Sequence, residues 1–167
     1  MRTFKEYHDL REAGSTVPYE VLSYEPWKAN FQVGDIIFRV SISDDYTKPG
    51  EYDVSFAQQK EITPEGERWI NTPRKLGFVD LGQLFSTIDD VLVDFVQYKK
   101  EKDGEFPTLQ IIGVHLQTEK GGFDPKRHGG YQSMLRQSKL VDLGYRMEAD
   151  PWITRMIPQE KEELVPA

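Results

Sequence analysis

Apolar and polar positions first fall into a clear register at residues 36–43. There Ile36, Phe38, Val40 and Ile42 alternate with Ile37, Arg39, Ser41 and Ser43. A repeat of two puts each set on its own face, so the segment predicts a strand with one buried side. Tyr52, Val54 and Phe56 repeat the pattern after the turn residues Lys48-Pro49-Gly50. Residues 31–33 with the Gly34-Asp35 turn complete a hairpin, and 18–24 reads as extended up to the break at Pro26.

Three segments switch to helical spacing. Thr3 and Glu6 form a capping box ahead of Phe4, Tyr7 and Leu10, and Gly14 ends that helix. Asp80 and Gln83 offer a second box, followed by the long stripe Leu84, Phe85, Ile88, Val91, Leu92, Phe95 and Val96. Asp124-Pro125 opens a third helix that runs to Gly144, although Gly129 and Gly130 weaken its start and allow a beginning near Tyr131.

Between the second and third helices lies the most continuous apolar run, residues 109–116, which suits a strand buried on both faces. Residues 145–147 and 152–157 supply closing strands around Pro151. Residues 60–79 carry two prolines, two glycines and a lone Trp69, and read as a long irregular loop. The expected architecture is an α+β domain over residues 1–158, a mainly antiparallel sheet packed by two or three helices. The acidic residues 159–167 form an expected flexible tail.

Composition narrows the chemistry. The 167 residues include no cysteine, which excludes disulfides, thiolate zinc sites and cysteine nucleophiles. No apolar run approaches the roughly 18 residues of a membrane span, and the start is polar. The expectation is a cytoplasmic protein with no membrane partner. A net charge of -7 opposes broad binding to nucleic acid.

The order of elements resembles the GNAT acyltransferase fold and is similar to phage-encoded proteins of GNAT-like pattern. The resemblance rests on Tyr52-Asp-Val-Ser-Phe-Ala57, Phe85-Ser-Thr-Ile88, Asp94-Phe95, Tyr131-Gln-Ser-Met-Leu135 and Gly144-Tyr145, and covers residues 50–157. It implies an acyl-CoA-dependent acyltransferase of unknown acceptor, or a relative that keeps the fold without the activity; a viral chain would work in the host cytoplasm. The family's cofactor motif is Arg or Gln, two residues, Gly, one residue, then Gly or Ala. Its nearest counterpart is Arg74-Lys-Leu-Gly77-Phe-Val79, just before the long helix. The resemblance implies that Arg74, Gly77 and the backbone at Val79 face the pyrophosphate of acetyl-CoA, held by backbone N–H groups and the helix dipole. Val79 stands where the family has a small residue.

The family's general acid is a tyrosine in the second helix, a few residues before a glycine and an aromatic. Counting back from Gly144-Tyr145 reaches Leu140, which cannot donate a proton. Tyr131 is the tyrosine on that helix and the candidate acid; its other reading is a buried aromatic anchor.

Other motifs are thinner. His8, His115 and His128 are too scattered for a metal site, and Asp90 with Asp94 reads as a solvated stripe at i,i+4. Arg68, Arg74, Lys75, Lys120, Lys126, Arg127 and His128 would form an anion-binding rim if their loops meet at one sheet edge. Serine-elbow, P-loop and Rossmann signatures are absent. The alternative function is a non-enzymatic viral interaction module, a virion component or an inhibitor of a host protein. It would meet a protein partner through Tyr19, Tyr24, Trp27, Phe31 and the Trp69 loop.

Overall fold

In a computed structural model, residues 16–34, 36–45, 47–70, 78–112, 125–149 and 153–159 are described. The N-terminal helix expected at 3–13, the second half of the run 109–116 and the acidic tail beyond Gln159 lie outside them.

Eight strands form one sheet: β1 (Tyr19–Tyr24), β2 (Trp27–Val33), β3 (Ile36–Asp44), β4 (Glu51–Thr63), β5 (Gly66–Ile70), β6 (Thr108–Ile112), β7 (Tyr145–Ala149) and β8 (Ile153–Pro158). The helices are α1 (Phe78–Asp103), α2 (Pro125–Arg136) and the single turn α3 (Lys139–Asp142). Strand order is β1-β2-β3-β4-β6-β8-β7, with β5 paired to β4 off that path. Every ladder is antiparallel except β4 with β6. The α+β class and the mainly antiparallel sheet are therefore as the alternation patterns require.

Of the loop expected over 60–79, residues 60–70 depart from it and 71–77 lie outside the described residues. β4 continues to Thr63, turns at Gly66 (φ 125°) and returns as β5, in the register Ile62↔Glu67 and Glu61↔Arg68. The polar run 57–61 has no apolar alternation, so only the hairpin turn signalled this pairing. α1 begins at Phe78, which makes Asp80 a first-turn residue and not the cap; an acidic residue there still suits the helix dipole. The helix expected to reach Gly144 stops at Arg136. Ser138 then caps α3, its hydroxyl accepting from the Leu140 N–H at 3.0 Å.

Alternation decides which face of the sheet is covered. Ile36, Phe38, Val40 and Ile42 are buried with Val54, Phe56, Leu109, Ile111 and Met156, and α1 supplies Phe85, Ile88, Leu92 and Phe95 against them. Thr108 to Ile111 are buried without a break, as expected of a strand covered on both faces. Thr87, fully buried on α1, accepts the Val17 N–H at 3.0 Å and donates to the Gln83 carbonyl at 2.7 Å. That bond fastens the entry to β1 onto the helix.

Gly34 lies against the first turn of α1. Its φ of 61° belongs to the left-handed region, and a Cβ there would stand 3.2 Å from Oδ2 of Asp80. Gly34→Ala should therefore destabilise the fold by about 1–2 kcal/mol from backbone strain alone. Urea midpoints of the two proteins check this, and an unchanged midpoint would mean the turn relaxes freely.

Candidate functional site

Among the described residues, parallel strands β4 and β6 share three paired positions: Glu51↔Thr108, Tyr52↔Leu109 and Asp53↔Gln110. Both strands run on, β6 to Ile112 with β8 as its partner and β4 to Thr63 with β3 and β5. The pairing thus stops while both strands continue, and β4 keeps an edge without β6 from Val54 until β5 takes it up at Gln58. Ligands of open α/β sheets sit outside the carboxyl ends of parallel strands, where neighbouring connections diverge.

The last paired position before the two strands part is pinned. Gln110, 4% exposed, donates its side-chain amide to Asp53 and, at 3.0 Å, to Asp45. Asp45 also accepts from the hydroxyl (2.6 Å) and backbone N–H (3.0 Å) of Thr47, and these bonds hold its carboxyl below the ordinary aspartate range. Asp45 therefore serves the geometry of the β3–β4 turn.

Two helices begin at the open end, where the two strands part. Phe85 of α1 meets Tyr131 of α2 at 6.3 Å between ring centroids, and further along Asp89 accepts from Ser138 and Asp90 pairs with Lys139 at 2.7 Å. Contacts that advance together along both chains show α1 and the α2–α3 segment running the same way. Their N-terminal turns therefore rise on one side, and Asp80 beside Gly34 places that side at the β2–β3 turn. β4 reaches the same level through Gln58↔Phe38, beyond the point where its ladder with β6 has ended. Unpaired N–H groups and the positive dipole ends of helices attract anions to such a place.

Tyr131 packs on Phe56, which lies on β4 beyond its last pairing with β6. It is 6% exposed, its ring stacked on Phe56 at 4.4 Å and set edge-on to Phe85. The aromatic-anchor role is thus filled. Leu140, which occupies the position counted back from Gly144-Tyr145, is fully buried. Val79 sits in the first turn of α1, where backbone N–H groups have no partner within the helix. Arg74, Gly77, Lys75 and Lys120 lie outside the described residues, as do His8 and His115. Among the described residues, no group of three His, Asp or Glu side chains could hold a metal, and no helix is long and apolar enough to cross a membrane.

The aromatic set of the N-terminal third divides. Trp27 and Phe31 are core residues and Tyr19 packs against them, while Tyr24 remains exposed. One chemically notable residue escaped the sequence reading. Lys99 continues the apolar stripe of α1 yet is buried, its ammonium 2.9 Å from Asp103 and 5.1 Å from the centre of the Tyr52 ring. Burial alone would lower its pKa, but hydrogen bonds to Tyr52 and Asp103 outweigh that and hold it above the ordinary lysine value. Its place one helical turn after Phe95 and Val96, with Asp103 four residues on, was the available signal.

Compared with protein-family models, with curated proteins and with solved structures, the chain has no significant match in any of the three.

Proposed function

We propose that this chain is a GNAT-like protein that binds an acyl-coenzyme A in the cleft between β4 and β6. The observation that carries the reading is the interrupted parallel ladder, with α1 connecting its two strands and presenting its N-terminus at the open end. Strand order adds support: antiparallel strands, a long helix, a parallel central strand, then a second helical segment and two closing strands. In this reading the pyrophosphate rests on the first turn of α1 and the residues Arg74 to Val79 before and within it. The pantetheine arm then lies along β4 between Asp53, its last partner position with β6, and Gln58, where β5 takes up the same edge.

Acyl transfer at this place follows ordinary thioester chemistry. The acceptor's lone pair attacks the carbonyl carbon, the C–S bond breaks, and the departing thiolate takes a proton. Tyr131 is the donor this reading assigns; the proton lost by the acceptor restores it through solvent. Phe56 and Phe85 hold the ring in place.

A second reading, a binding module without catalysis, draws on β1. Leu22 (45% exposed) and Tyr24 (55%) stand out on that edge strand, where a protein partner could cover them. A thermal-shift series separates the two. Acetyl-CoA at about a hundred times its dissociation constant should stabilise the fold by roughly 2.7 kcal/mol. Stabilisation by acetyl-CoA but not by ATP supports the cleft; no shift with any nucleotide-bearing ligand leaves the binding module.

A further inference from the structure

The opposite end of the sheet holds a second cleft, independent of the one above. It measures about 270 Å³ and is walled by the β1–β2 turn, the end of β3, the start of β4 and the last turns of α1. Its sides are aromatic. Trp27 is 4% exposed and meets the Tyr24 ring edge-on at 5.2 Å and 82°, so the two rings make a right-angled corner. Phe95 closes the base at 5.6 Å from Trp27, and Tyr52 stands beside it. Among the described residues the buried indole N–H of Trp27 finds no acceptor.

Charge at the mouth is uneven. Lys99 is neutralised by Asp103 at 2.9 Å and turned over the Tyr52 ring, and Lys102 is paired with Glu25. Asp44, exposed at the end of β3, makes no ion pair among the described residues. One negative charge is therefore left over, next to an aromatic corner. The lysines demonstrate what the rings attract: Lys99 sits over Tyr52, and Lys102 lies 5.9 Å from the centre of Tyr98. Among the described residues no lysine or arginine sits over the Tyr24 or Trp27 ring, and Lys99, which also lines the cleft, is turned to Tyr52 and Asp103.

We propose that this cleft binds a small monocation of the methylated-ammonium class, with its methyl groups against Tyr24 and Trp27 and its charge balanced by Asp44. Ring faces attract such ions electrostatically, and a methylated cation gives up its hydration more readily than an ammonium does. An anion is disfavoured by Asp44 and Glu25. A neutral apolar group would forgo the carboxylate.

The Trp27 indole N–H gives a reporter inside the cleft. Nitrogen–proton spectra of the full chain would be recorded with choline, with a trimethyllysine peptide, with the neutral isostere 3,3-dimethylbutan-1-ol, and with acetate. A saturable shift of the Trp27 signal is expected from choline or the peptide, whichever binds more tightly naming the source, and not from the isostere or acetate. Tyr24→Ala and Asp44→Asn alter exposed side chains and should leave the spectrum folded while weakening the binding by about tenfold each. Absence of any saturable shift, equal binding of the neutral isostere, or affinity untouched by both substitutions would overturn the assignment. The result does not depend on coenzyme A, since the two clefts lie at opposite ends of the sheet.

Discussion

Replacing Phe95 by alanine should lower the unfolding free energy by about 3–5 kcal/mol, near the top of the range for core aromatics. Phe95 is 2% exposed on α1, with its ring edge-on to Trp27 at 5.6 Å and to Tyr52 at 5.3 Å. It thus joins the helix to β2 and β4 at once. Removing it strips apolar area from water-free surroundings and leaves a hole bordered by two rings that cannot both move in. The helix stripe alone marked Phe95 as buried, but not against which strands. Equilibrium denaturation checks the size, and a loss below about 1 kcal/mol would mean the site collapses or that α1 is not seated there.

Asp89→Ala should cost about 3 kcal/mol, a large effect for a polar residue. The carboxylate is fully buried, accepts from the Ser138 hydroxyl, and takes the Lys139 backbone N–H at 3.1 Å. Ser138 in turn caps α3 by accepting from Leu140. Alanine removes both bonds made by the carboxylate and strands a buried hydroxyl and a helix-end N–H. A hydrogen bond to a charged group contributes about 1.5–3 kcal/mol, so two of them, less some relaxation, give the stated figure. A cycle with Ser138→Ala should show coupling, because the two side chains share one network. Additive losses would place the stabilisation elsewhere. The consequence for function is positional: this network ties the α2–α3 segment to α1 and sets how their N-terminal turns flank the cleft.

Where alternation or helical spacing was strong, the fold was legible. Ile36 to Ile42 on β3 and the Leu84 to Val96 stripe on α1 are placed as their periods require, because burial of one face leaves a single register. Legibility failed where pairing depends on partners distant in the chain. Nothing in the polar run Gln58 to Glu61 reveals a strand, since its place comes from β3 and β5 on either side. Asp89 shows the same limit from another direction. It lies on the buried face four residues after Phe85, and sequence alone gives no hint that Ser138 and Lys139 come to meet it. For the cleft, the position of the long helix between two strands was readable from the order of elements. The early end of the β4–β6 ladder was not, because strand divergence leaves no mark on composition. The same holds for the second cleft: Tyr24 and Trp27 flank one turn, Asp44 and Tyr52 pair across another, and only the sheet register brings the two together.

Calorimetric titration of coenzyme A into the wild-type chain, Val79→Gly and Arg74→Ala tests the central claim most directly. In the proposed reading Val79 takes the position of a small residue in the first turn of α1, so glycine, which has no branched side chain, should tighten binding. Arg74→Ala should weaken it and reduce its dependence on salt. Measurable heat from the wild type, larger affinity for Val79→Gly and smaller for Arg74→Ala is the expected set. No binding by either the wild type or Val79→Gly would contradict the account, and the cleft between β4 and β6 would then be a feature of the scaffold alone.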